Sequence, residues 1–117
     1  MEGLTPQDAE LIAKATNTNL PISIHHVQLC HGNIHAALVL GILYIDHINH
    51  GESFEKPNAA LMLEGMATRA QLRRIHSILR QLDFLTIKTK GIPAKNWYTF
   101  NTEKYYQAVL PIIKGIL

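Results

Sequence analysis

The sequence predicts a single α+β domain, mainly helical, in which a helix-turn-helix is followed by a two-stranded β-hairpin. Three observations carry that expectation. Thr68 and Gln71 form a capping-box pair ahead of apolar residues at helical spacing, Leu72, Ile75, Ile78, Leu79 and Leu82. Phe84 to Lys90 then alternates apolar and polar residues, as a half-buried strand does. Finally, Gly91-Ile92-Pro93-Ala94-Lys95 reads as a turn into Trp97-Tyr98-Thr99-Phe100-Asn101, a run rich in aromatic and β-branched residues.

Upstream, Thr5-Pro6-Gln7-Asp8 offers a cap, a proline at the first helical position and an early acid, starting a helix to about Asn17 with Leu11, Ile12 and Ala15 as its stripe. Leu20-Pro21-Ile22-Ser23-Ile24 reads as a short strand or extended entry, and Gly32-Asn33 as a break. Ile34 to Ile48 is the central core helix, apolar on most sides through Ala37, Leu38, Leu40, Gly41, Tyr44, Ile45 and Ile48. Asn49 to Ser53 is a polar loop, and Pro57-Asn58 opens a short helix through Leu61, Met62 and Leu63. The helix-turn-helix thus spans about 57–83, the hairpin about 84–101 and a last helix about 102–117. Thr102-Glu103 caps that helix, and Pro111 kinks or ends it. This order is that of a winged helix-turn-helix with a two-stranded wing.

At 117 residues the chain makes one domain. Its content, 47% apolar and 17% charged, excludes a disordered chain. The lone cysteine, Cys30, has no partner for an intramolecular disulfide, and no basic start followed by an apolar run marks a signal peptide. A cytoplasmic protein is expected. The apolar run from Ala36 to Ile45 is interrupted by Gly41 and falls short of the roughly 20 residues that span a bilayer, so no membrane partner is expected.

The formal charge of +2 says little by itself, but its placement is informative. Acids lie mainly early, at Glu2, Asp8, Glu10, Asp46, Glu52 and Glu55, whereas Arg69 to Lys95 carries seven lysines and arginines against one acid, Asp83. On the helix beginning at Thr68, the apolar stripe leaves Arg69, Arg73, Arg74, Ser77, Arg80 and Gln81 facing outward. Double-stranded DNA is therefore the expected partner, contacted by Thr68, Arg69, Gln71, Arg73, Arg74 and Ser77 in the major groove and by Lys88, Lys90 and Lys95 at phosphates. Arg69 and Arg73 are placed for base edges, Arg80 for backbone or an acid of the same chain. The alternatives are an ordinary solvated helix face for the arginines and, for the lysines, protection of an exposed edge strand. Trp97 and Tyr98 either stack on unpaired bases or belong to the core.

Lys90-Gly91-Ile92-Pro93-Ala94-Lys95-Asn96-Trp97-Tyr98 resembles the wing of the winged-helix domain found in phage and plasmid replication proteins. The likeness extends over about residues 20–105, through Ala36–Leu40, Gly51–Lys56 and Thr68–Gln71. It implies DNA binding through the helix at Thr68 and this wing, in a mobile genetic element's replication or transcription regulation.

Other chemistry is not expected. His31 and His35 are four apart, near His25, His26 and Cys30, yet Gly32-Asn33 breaks the segment between the pair and no further cluster completes a ligand set. No metal and no cofactor are assigned. Without a Gly-rich phosphate loop, a nucleophile elbow or HExxH, the chain is read as a non-enzyme. The apolar C-terminus, through Tyr105, Tyr106, Val109, Leu110 and Ile113, suggests a homodimer reading half-sites about 10 base pairs apart. A small phage or plasmid product that uses the same frame to bind and modulate a host protein complex is the alternative.

Overall fold

A computed structural model describes residues 5–8 and 22–116. At the N-terminal end, Asp8 N–H donates to Thr5 Oγ1 at 3.1 Å and Thr5 N–H to Asp8 Oδ2 at 3.3 Å, and residues 6–8 are helical. The rest of the expected first helix, with Leu11, Ile12 and Ala15, lies outside the described residues, as do Leu20 and Pro21.

The extended segment expected to run through Ile24 stops at Ser23, where helix α1 (Ile24–Leu29) begins. Its buried positions, His25, His26 and Cys30 with half-buried Leu29, recur at helical spacing and pack against the neighbouring helices. Histidines counted as polar hide that period. The break at Gly32-Asn33 forms as expected: Gly32 has φ +85, and Asn33 Oδ1 accepts Ala36 N–H at 2.9 Å to cap α2 (Ile34–His50). Ala36, Val39, Leu40 and Leu43 of α2 line the core, whereas Ile45 and Ile48 face solvent. Gly51, at φ +100, ends the helix with its N–H on His47 O at 2.8 Å.

The polar loop is shorter than expected, because Ser53–Glu55 forms a strand, β1. Three residues with one buried phenylalanine are too few to show a period in the sequence. Lys56 follows, almost fully buried, with its Nζ 2.6 Å from Asp46 Oδ2 and 2.8 Å from Glu64 Oε1. Burial alone would lower this ammonium's pKa, but the two carboxylates outweigh it and hold the group above the ordinary lysine value. The triad ties the end of β1 to α2 and to α3 (Asn58–Glu64).

A tight turn joins α3 to α4 (Arg69–Leu79). A Cβ on Gly65 would lie 2.9 Å from Leu61 O and 3.0 Å from Val39 Cγ2, so the end of α3 rests on α2 only because that residue has no side chain. The capping box forms in both directions, with Gln71 N–H on Thr68 Oγ1 at 3.2 Å and Thr68 N–H on Gln71 Oε1 at 2.9 Å. Leu72, Ile75, His76 and Leu79 face the core.

Strands β2 (Leu85–Lys90) and β3 (Lys95–Phe100) pair antiparallel from Leu85 opposite Phe100 to Lys90 opposite Lys95. The expected two-stranded hairpin is thus part of a larger sheet: β1 pairs antiparallel with β3, Phe54 opposite Tyr98, giving three strands in the order β1-β3-β2. Alternation assigns Phe54, Leu85, Ile87, Tyr98 and Phe100 to the inner face. The outer face carries Ser53, Glu55, Thr86, Lys88, Lys90, Lys95, Trp97 and Thr99.

Helix α5 (Thr102–Ile116) starts one residue earlier than the Thr102-Glu103 cap expected, since Asn101 Oδ1 accepts Lys104 N–H at 3.0 Å. Pro111 does not end it. Its ring is on the exposed side, where water can satisfy the carbonyl that loses its partner. Tyr105, Val109 and Ile113, one or two turns apart, are buried; Tyr105 stacks on Tyr44 with ring centroids 4.3 Å apart and meets His26 Nε2 through its hydroxyl at 2.6 Å. Of the residues expected at a dimer interface these three are occupied by the chain's own core, and Tyr106 and Leu110 are half-buried beside it. Among the described residues no helix is long and apolar enough to cross a membrane.

Candidate nucleic-acid interface

The α4 residues expected at DNA separate into three groups. Arg69, Arg73, His76 and Arg80 follow one another at intervals of four, three and four residues, so they share one flank of the helix. That flank forms a wall of an open groove of about 660 Å³, closed on its other sides by α3 through Asn58, Ala59 and Met62 and by β3 through Asn96. Arg74 and Ser77 are exposed but do not line it. Thr68 and Gln71 are also exposed, at the mouth of the helix, and there they bond each other in the capping box.

Hydrogen bonds set the floor of the groove. His76 Nε2 is 2.9 Å from Tyr98 Oη, which fixes the imidazole between α4 and the inner face of the sheet. Burial, and secondarily the Arg80 charge, lowers the His76 pKa below the ordinary histidine value, so the ring is neutral near pH 7. Asn96 Nδ2 donates to Asn58 Oδ1 at 2.7 Å and Thr89 Oγ1 to Asn96 Oδ1 at 2.8 Å, holding the hairpin against the start of α3. Among the described residues, no carboxylate forms an ion pair with Arg69, Arg73, Arg74 or Arg80. Guanidiniums gathered in a concave surface without acids present forked donors to a planar or tetrahedral anion.

The lysines lie elsewhere. Lys88, Lys90 and Lys95 project from the outer sheet face, opposite the face that meets α4. Lys90 Nζ sits 5.4 Å from the Trp97 ring centroid, and Lys95 Nζ lies 3.7 Å from Glu55 Oε1. Helix arginines and strand lysines therefore form two cationic surfaces, not one continuous band. The aromatic pair divides the same way: Tyr98 is wholly in the core, and Trp97 is half-buried on the outer face.

Arg80, expected at backbone or at an acid of the same chain, lines the groove with Arg69 and Arg73, and His76, Asn58 and Asn96 join it without having been expected there. For His76 the signal was in the spacing from Arg69 and Arg73; for the two asparagines no local pattern announces a contact made across 38 residues. Near the other histidines, His35 Nε2 is 2.7 Å from Gly65 O, His31 is exposed, and burial pushes the Cys30 thiol up to about 11. Among the described residues no group of three or more His, Cys, Asp or Glu is placed to hold a metal ion. In comparisons with known proteins, no family model, no curated protein and no solved structure matches the chain.

Proposed function

We propose that this protein binds duplex DNA as a winged helix, with α4 entering the major groove and the β2–β3 hairpin lying along the backbone as its wing. The observation that carries this reading is the row of Arg69, Arg73 and Arg80 along an open groove, with no carboxylate paired to any of them among the described residues. Arg69 is also in the first turn of α4, where the free amides and the helix dipole favour an anion. Arg74 and Ser77, further round the helix, extend the contact toward base edges. The likeness of Lys90–Tyr98 to the wing of phage and plasmid replication proteins supports a role in the replication or transcription regulation of a mobile genetic element.

The test is duplex binding across a salt series, with Arg69→Ala/Arg73→Ala beside the wild type. Affinity is expected to fall steeply with salt, and the double variant to bind at least tenfold more weakly and to lose about 2 from the log–log salt slope. Wild-type protein silent at low salt would end the DNA reading. In that event the exposed corner at the α3–α4 turn, where Leu63 is 81% and Met66 77% accessible, favours a host protein as partner.

A further inference from the structure

We propose that the outer face of the sheet is a second nucleic-acid site, which takes a short single strand of DNA by stacking a base on Trp97 and holding its phosphates at Lys88 and Lys90. Trp97 is not needed to fill the core, which Phe54, Tyr98 and Phe100 complete on the other face of the same strands. It stands on the central strand, flanked in register by Lys88 on β2 and by Glu55 on β1, with Lys90 Nζ over its ring. Protecting the free edge of β2 explains lysines on β2; it does not explain an indole on β3.

Beside the ring, Glu55, Lys90, Ile92, Pro93, Lys95 and Trp97 border a concavity of about 400 Å³ open to solvent, and Ile92 at the hairpin tip is fully exposed. The one acid of this face, Glu55, pairs with Lys95, and among the described residues Lys88 and Lys90 pair with no carboxylate. An aromatic face with two free ammoniums alongside it is the arrangement by which unpaired bases are held regardless of sequence. A base arriving on the indole displaces the Lys90 ammonium toward the phosphate of the same nucleotide. The choice of DNA over RNA leans on the α4 reading, which brings DNA to this molecule; the site itself does not.

Because Trp97 is the only tryptophan, its emission reports on this face alone. Titrating the full chain with oligodeoxythymidylate at low salt is expected to quench that emission saturably. Lys88→Ala/Lys90→Ala should weaken the binding about tenfold or more, and so should Trp97→Ala, followed by anisotropy of a labelled oligonucleotide. Arg69→Ala/Arg73→Ala should leave single-strand binding within twofold while it weakens duplex binding at least tenfold, so either site can fail without the other. Far-UV circular dichroism of each variant checks that it is folded. The proposal is overturned by absence of quenching, by binding that survives the lysine and tryptophan changes, or by loss in the arginine variant. Equal or tighter binding of oligouridylate overturns the assignment to DNA.

Discussion

His25 and His26 are adjacent in a helix of six residues, and both are buried. Burial lowers the His25 pKa to about 4, and burial together with the neighbouring imidazole lowers that of His26 to about 3. Unfolded histidines titrate near 6.5, so between about pH 6.5 and pH 4 the unfolded chain binds more protons than the folded one. Stability is therefore complete above that window and falls as the pH drops through it, by about 2 kcal/mol for each histidine between pH 7 and pH 5. Urea unfolding at the two pH values measures this. His25 Nε2 has no hydrogen-bond partner among the described residues, so His25→Leu removes an unpaired buried group and should roughly halve the difference. An unchanged pH dependence in that variant would show that His25 is not a source of it. The sequence offered these residues as polar; Tyr44 and Tyr105, neighbours in space, turn His26 into core, and His25 packs edge-on against His26.

At the scale of elements, what the sequence displayed were devices confined to a few consecutive residues. The Thr68–Gln71 box, the Gly32-Asn33 break and the alternation from Leu85 to Lys90 all act within one turn or one strand, and each formed where expected. Strand β1 did not show itself, because its pairing is made entirely with β3, with Ser53 Oγ 2.9 Å from Thr99 Oγ1 across 46 residues. Helix α5 gives a case in which a strong local signal was overruled. Proline disfavours a helix interior, yet Tyr105, Val109 and Ile113 are packed on both sides of Pro111, and their burial carries the helix past it. Pro111→Ala restores an amide donor on an exposed side and is expected to stabilise the protein by about 1–3 kcal/mol, read as a higher unfolding midpoint. A lower midpoint would mean that the proline ring makes contacts that matter more than the missing hydrogen bond.

For the whole molecule, the basic block was visible in the sequence but its division was not. Which lysines share a surface with Arg69 and Arg73 depends on which face of β2 and β3 meets the helices, and β1 and α3 settle that by pairing with β3 and bonding Asn96. The same dependence makes β3 indispensable. It lies between β1 and β2, contributes Tyr98 and Phe100 to the core, and is followed by α5, whose Tyr105 closes against Tyr44. A chain ending at Asn101 lacks that closing layer and should show no cooperative thermal transition, whereas the full chain should show a single one. A sharp transition in the shortened chain would place the stabilising core elsewhere.

The central position of β3 also has a consequence for synthesis. Until Lys95–Phe100 has been made, β1 has no strand to pair with, and the side of α2 that Tyr105 and Phe100 cover lacks those partners. Pairing of β1 and closure of the core by α5 are therefore expected to be late steps of folding, made only after Lys95–Phe100 has joined the chain.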